Sequence, residues 1–207
     1  MLPRVLEPEV MDSAAEACDY DAMDHAAVNR VFVADLLAVW DGRGAVLDVG
    51  TGTAQIPIEL CRRAATAQVV AVDLAEHMLA VGRDNVRRAG LDGRVRLERC
   101  DAKALPFADA AFGAAVSNSI VHHIPEPGRV LAEMVRVAAP GGRLFVRDLL
   151  RPDDEPQLRR LVETYAGGAN AHQRQMFADS LHAALTLAEV RDLVAALGYP
   201  ADDVRQT

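Results

Sequence analysis

Between residues 45 and 148 the chain alternates short, continuous apolar runs with longer stretches in which apolar positions recur every three or four residues. Short apolar runs bounded by turn residues suit strands buried on both faces, and the longer periodic stretches suit amphipathic helices. Strands are therefore expected at 45–49, 68–72, 94–98, 112–117 and 143–148, separated by helices at 54–65, 75–89 and 127–138. Gly90-Leu91-Asp92-Gly93 closes one of these helices and Pro140-Gly141-Gly142 closes another. Ahead of this block, Ser13 to Leu37 reads as helical with a break near Tyr20 to Asp24, and Asp41-Gly42-Arg43-Gly44 is a turn. Behind it, the polar joint Arg151-Pro152-Asp153-Asp154-Glu155-Pro156 leads into helices between Leu158 and Leu197, broken at Gly167-Gly168.

Strand and helix in regular succession predict an α/β fold: a doubly wound, mostly parallel, Rossmann-like sheet with helices on both faces and ligands at the carboxyl ends of its strands. That topology places Asp48, Asp73, Asp101 and the segment Ser117 to His123 on one rim. A single domain over 1–207 is expected. It comprises an N-terminal helical cap (1–40), a cofactor-binding core (41–150), a helical lid inserted after the fifth strand (151–185) and a C-terminal helix and strand (186–207). Only Asp202 to Thr207 follow the last helix, which is room for a short sixth strand and leaves the C-terminal hairpin incomplete.

The 207 residues are 51% hydrophobic, enough to bury one core. A net charge of −8 disfavours a phosphate backbone as partner, so no nucleic acid is expected. Lys103 is the only lysine, and Arg83, Arg87, Arg88, Arg94, Arg96 and Arg99 are interleaved with acids as on a solvated face. Cys18, Cys61 and Cys100 have neither metal-ligand spacing nor an even count, as in a reduced cytoplasmic protein. No run approaches a membrane span, and no histidine pair sits at helical spacing beside an acid, so neither a membrane nor a metal is expected. Either the sequence is truncated at its C-terminal end, or the far sheet edge is open and covered by a partner, a homodimer being one such arrangement.

The chemistry concentrates in Val46-Leu47-Asp48-Val49-Gly50-Thr51-Gly52-Thr53-Ala54-Gln55, a strand running through an acidic, glycine-punctuated turn into a helix. A helix N-terminus with free backbone N–H groups welcomes a pyrophosphate, but Asp48 just ahead of the first glycine opposes one and favours a cationic group. S-adenosylmethionine fits that charge: it has an ammonium and a sulfonium and no phosphate. Asp73 ends the second strand, where a carboxylate accepts from both hydroxyls of a ribose; its alternative role is to cap the helix starting near Ala75. Asp101 follows the third strand, where it can accept from an adenine amino group.

Asp48, Gly50 and Gly52, with Ala54 at the third glycine position, match the Asp-x-Gly-x-Gly-x-Gly motif, so the chain resembles the class I (Rossmann-like) methyltransferases. Ala54 preserves close packing there only if its φ stays negative. Asp101-Ala102, Leu105-Pro106-Phe107 and the strand ending Ser117-Asn118-Ser119-Ile120-Val121-His122-His123 resemble later motifs of that family. Tyr20-Asp21-Ala22-Met23 resembles a segment of its ubiquinone/menaquinone carbon-methyltransferase branch that folds over the cofactor. The resemblance implies S-adenosylmethionine as cofactor, held by Tyr20, Asp48, Gly50, Thr51, Gly52, Gln55, Asp73, Leu74, Met78, Asp101, Ala102, Ser117 and Asn118. It implies in-line displacement at the sulfonium methyl by a small-molecule acceptor. A base is needed only if that acceptor carries a proton, and His122 or His123, with Tyr20 as partner, are the candidate catalytic residues. Adjacent helical positions diverge by about 100°, so at most one of the two histidines is expected to face the pocket, the alternative for either being a helix-capping or packed histidine. In the insertion, Tyr165, Asn170, His172, Arg174 and Phe177 are candidate substrate residues, Arg174 for an anion. Two other readings use the same crevice: a nicotinamide-dependent oxidoreductase, which Asp48 and the missing Tyr-x-x-x-Lys pair disfavour, and a non-catalytic S-adenosylmethionine-binding module.

Overall fold

The computed structural model describes residues 2–7 and 12–207, so residues 1 and 8–11 of the expected N-terminal cap lie outside the described residues. The chain divides into two compact units, one from residues 10–118 and 129–147, the other from 1–9, 119–128 and 148–207.

The larger unit is built on five strands: β1 (Val46–Val49), β2 (Val69–Asp73), β3 (Val95–Arg99), β4 (Phe112–Asn118) and β5 (Ala138–Arg147). They lie in the order β3-β2-β1-β4-β5, and every neighbouring pair is parallel. Helices α1 (Ala14–Asp21), α2 (Ala26–Val39), α3 (Gln55–Arg63), α4 (Glu76–Arg88) and α5 (Pro127–Val137) alternate with them along the chain. All four residues of β1 are buried, as expected for the central strand of a sheet covered on both faces. Phe32, Val33 and Leu36 of α2 and Ile58 and Leu60 of α3 pack on Val46, Val69, Ala71, Val95 and Val116, one face of the sheet. Chain order reverses between β1 and β4, and a parallel sheet opens its ligand crevice at the carboxyl ends of strands at such a switch point.

Two sequence expectations need correction. Pro140-Gly141-Gly142 does not precede the fifth strand but lies within it: the register passes from Phe112↔Ala138 to Ala114↔Arg143, and the intervening residues bulge out, with Gly141 at φ +77°. A glycine that can adopt the left-handed conformation converts a break into a bulge. The second concerns Ala54, whose φ is +64°, not negative, although the residue is fully buried at the start of α3. The left-handed conformation costs an alanine about 1 kcal/mol or more. Space for its methyl comes from α4, where Gly82 has no side chain: a Cβ there would lie 2.8 Å from Leu97 Cδ2, 3.3 Å from the Thr53 carbonyl carbon and 3.4 Å from Ala54 Cβ. Gly82→Ala gains helix propensity worth about 1 kcal/mol but overfills this contact, at roughly 1–3 kcal/mol. A net loss of about 1 kcal/mol is expected, read as a lower midpoint in urea; an unchanged midpoint would show that the turn has room to spare.

The second unit contains α6 (Glu155–Ala166), α7 (Ala171–Ala183) and α8 (Leu187–Ala196), with one-turn 3-10 helices at Val121–His123 and Ala201–Asp203. Asp154, Asn170 and Thr186 cap the three α-helices, the last two in reciprocal boxes with Gln173 and Glu189. The expected sixth strand is absent among the described residues. Pro200 offers no N–H to a ladder, and Arg191 instead draws the Val204 carbonyl back to α8 at 3.2 Å.

Candidate cofactor site

The turn after β1 is pinned by its neighbour: the N–H groups of Gly50 and Thr51 both donate to the Val72 carbonyl, at 2.8 and 2.9 Å. Gly50 and Gly52 have φ of +74° and +54°, a conformation that costs glycine nothing. Asp73, at the end of β2, ties this turn to the next helix. Its Oδ2 accepts from Gly52 N at 2.8 Å, and its Oδ1 accepts from Ala75 N at 2.9 Å, ahead of α4. The second bond closes a local turn ahead of α4 rather than capping the helix, whose N-cap position is Ala75.

Asp48 is 2% exposed, and among the described residues its Oδ2 has no hydrogen-bond donor. Burial raises its pKa to about 7; Thr51 lowers it in part, and the Asp73 charge raises it further. A buried acceptor without a donor is costly, and it is satisfied by a ligand that brings one, above all an ammonium. The Thr53 hydroxyl is likewise buried with no partner among the described residues. Tyr20, near the end of α1, closes over the turn: a Cβ on Gly52 would stand 3.6 Å from Tyr20 Cε1. Burial, with the charges of Asp73, Asp48 and Asp21, pushes the Tyr20 phenol up to about 12, so at neutral pH it is a donor rather than a base. The ring also stacks on His25, centroids 4.8 Å apart, whose pKa burial lowers against the pull of Asp24 and Asp21.

A polar clasp that the sequence did not reveal holds α1 in place. Asp21 Oδ1 accepts from Gln55 Nε2 at 3.2 Å and from Asn85 Nδ2 at 2.8 Å. Gln55 Oε1 accepts from Asn29 Nδ2 at 3.2 Å, and Asn85 also donates to the Thr53 carbonyl at 3.0 Å. Gln55, expected to touch the cofactor, therefore spends its amide on this clasp.

The rest of the expected shell divides by role. Met78 is buried with Ala17 and Ala75 and anchors α1 to α4, while Leu74 gives its carbonyl to Arg99 at 3.0 Å. The Ser117 hydroxyl is fully buried and donates to the Val49 carbonyl at 2.9 Å, pinning β4 to β1. Asn118 and Ala102 are half-buried where β4 and β3 run out. Asp101 Oδ1 accepts from Lys103 N at 2.9 Å and lies 3.0 Å from Lys103 Nζ; burial would raise this carboxyl, but Lys103 outweighs it and leaves the pKa lowered. The loop beyond is fixed from α5. Glu133 accepts from Leu105 N at 2.7 Å, and Arg136 donates to the carbonyls of Leu105 and Phe107.

His122 and His123 belong to the other unit, in a cluster with Glu7 and Asp148. His122 is 2% exposed, with Nδ1 at 2.5 Å from Asp148 Oδ1 and Nε2 at 3.7 Å from Glu7 Oε1. His123 Nδ1 lies 3.0 Å from the same Glu7 oxygen. Burial works to raise the Glu7 carboxyl, but hydrogen bonding and charge from His123 prevail and lower it. Among the candidate substrate residues, Arg174 pairs with Glu163 at 2.8 Å, Asn170 caps α7, and Phe177 packs on the cluster of Leu158, Val162 and Leu181. Tyr165 and His172 are exposed, so the structure does not gather these five into one pocket. Asp148 carries the same signal as Asp48 and Asp73, an acid ending an apolar strand run, and could have been found by it. Glu7 could not: nothing in its local sequence marks it.

Residues 47–146 match the family profile described as a methyltransferase domain. Among curated proteins it is similar to the ubiquinone/menaquinone biosynthesis C-methyltransferase UbiE of Geobacter sulfurreducens, at 34% identity over 114 residues, covering 55% of this chain and 44% of that one. The chain spans about half the length of the curated relatives it matches. Among solved structures it resembles a candidate methyltransferase of Bacillus halodurans, at 26% identity and a TM-score of 0.62, covering 80% of this chain and 68% of that one. It shares its fold with the cyclase SpnF, at 22% identity and a TM-score of 0.57, covering 98% of this chain and 77% of that one. The fold therefore hosts more than one reaction, and function rests on the site.

Proposed function

We propose that the chain binds S-adenosylmethionine and transfers its methyl group to a small-molecule acceptor. The observation that carries this reading is Asp48, a buried carboxyl with a donorless oxygen beside a glycine turn whose N–H already binds the next acid, Asp73. The fit of site to ligand is chemical: Asp48 for the ammonium, Asp73 for the ribose hydroxyls, Asp101 for the adenine amino group, and Tyr20 over the turn. When bound, the cofactor supplies a methyl activated by the sulfonium. The chain's part is to orient it and keep water out. The turn is held by Val72 and Asp73, and Tyr20 is held by the Asp21 clasp, so the residues facing the ligand are fixed before it arrives; such positioning is worth several kcal/mol of barrier.

The likeness to UbiE-type carbon methyltransferases supports a small organic acceptor, and the acidic balance of the chain supports one that is not nucleic acid. Incubating the chain with S-adenosylmethionine and a panel of small aromatic and quinol-type acceptors should release S-adenosylhomocysteine in step with one acceptor. Cofactor binding with no release across the panel would favour a non-catalytic binding module.

A further inference from the structure

We propose that Glu7, His122 and His123 form a binding site for a divalent transition-metal ion of the zinc class, with Asp148 orienting the central ligand. Asp148 is fixed from behind, because its Oδ2 accepts from the backbone N–H groups of Val121 and His122 at 2.7 and 3.2 Å. Its Oδ1 therefore meets His122 Nδ1 at 2.5 Å as an acceptor, which places a proton on Nδ1; in the neutral ring Nε2 then carries the lone pair. This is the carboxylate–histidine arrangement that orients and strengthens a metal-ligating imidazole.

That lone pair points at another acceptor. Nε2 of His122 is buried with no hydrogen-bond partner among the described residues and lies 3.7 Å from Glu7 Oε1. His123 Nδ1 approaches the same oxygen at 3.0 Å, and all three ligand atoms lie within 4.8 Å of one another. Buried acceptors that face each other repel unless a proton or a metal ion bridges them. Ligands around a tetrahedral zinc stand about 3.3 Å apart, given bonds of about 2.0–2.1 Å, and the observed separations bracket that value. Charge also agrees. Glu7 and Asp148 bring two negative charges, and Arg4, which donates to the carbonyls of His122 and Ile124 at 3.0 and 3.1 Å, brings one positive. A divalent cation meets an unbalanced negative site. Two imidazoles and one carboxylate favour zinc-class ions over magnesium and leave a fourth position for water or an oxygen ligand. The site is not legible in the sequence, because Glu7 is remote from the histidine pair and the pair is not at helical ligand spacing.

The test is calorimetric titration of the chelator-stripped full chain with Zn²⁺ alone, in a Cys18→Ser background that removes the exposed thiol. One ion per chain is expected, with little heat from Mg²⁺, at least tenfold weaker binding in Glu7→Gln and His123→Gln, and a 10- to 100-fold loss in Asp148→Asn. Nitrogen NMR of the unmutated chain guards against variants that fail to fold: His122 Nε2 should move from a free to a metal-bound resonance on adding Zn²⁺. Absence of stoichiometric binding, binding unchanged in Glu7→Gln and His123→Gln, or a His122 ring protonated on both nitrogens and indifferent to Zn²⁺ would overturn the proposal.

Discussion

Asp48→Asn is expected to raise the melting temperature of the ligand-free chain above pH 7 while weakening S-adenosylmethionine binding 10- to 100-fold. Both effects follow from one carboxyl. Its pKa rises from 3.8 to about 7 on burial, a shift that corresponds to roughly 4 kcal/mol working against the ionised fold. Because the folded form holds its proton more tightly than the unfolded form, stability falls as pH rises from about 4 to about 7 and is flat above that range. Asparagine removes the charge but leaves a buried amide imperfectly paired, at about 1–3 kcal/mol, so the net gain above pH 7 is about 1–3 kcal/mol. Ligand binding runs the other way. An ammonium requires the ionised carboxylate, so affinity should climb through pH 7 and then level, and binding below pH 7 should release a proton. Calorimetry in buffers of different ionisation heat measures that proton directly. Affinity independent of pH and unaltered by Asp48→Asn would remove Asp48 from the ligand.

Asp73→Ala is expected to cost more binding than any other single change at this rim, about 100-fold, and some stability as well. The carboxylate would lose two ribose hydroxyls. It would also lose its bonds from Gly52 N and Ala75 N, so the turn and the start of α4 loosen together, at about 1–3 kcal/mol. Asp73→Asn separates the two roles. The amide oxygen can still accept from one backbone N–H, so stability should recover in part while affinity stays about tenfold down. Equilibrium binding and urea melts of both variants make the comparison, and full affinity in Asp73→Ala would assign the residue to structure alone.

What the sequence revealed, and what it hid, follows from range. Asp48 and Asp73 were legible because a charge at the end of an apolar strand run is anomalous, and parallel topology brings such ends to one rim. The break at Tyr20 to Asp24 was legible for a local reason too, and α1 ends at Asp21 with α2 starting at Ala26. The backbone of Ala54 was not: its left-handed φ is tolerated because Gly82, on another helix, leaves room for it. The clasp of Asp21, Asn29, Gln55 and Asn85 and the cluster of Glu7, His122 and Asp148 escaped for the same reason, since each joins side chains far apart in the chain. The sixth strand failed in the opposite way. Its residues had room to extend, but Arg191 binds the Val204 carbonyl to α8.

The measurement that bears most directly on the assignment is a calorimetric titration of the full chain with S-adenosylhomocysteine and, separately, with NADH. One-to-one binding of S-adenosylhomocysteine that tightens as pH rises through 7, with no heat from NADH, is the expected result. Binding of NADH without S-adenosylhomocysteine would contradict the account and return the crevice to a nicotinamide-dependent oxidoreductase.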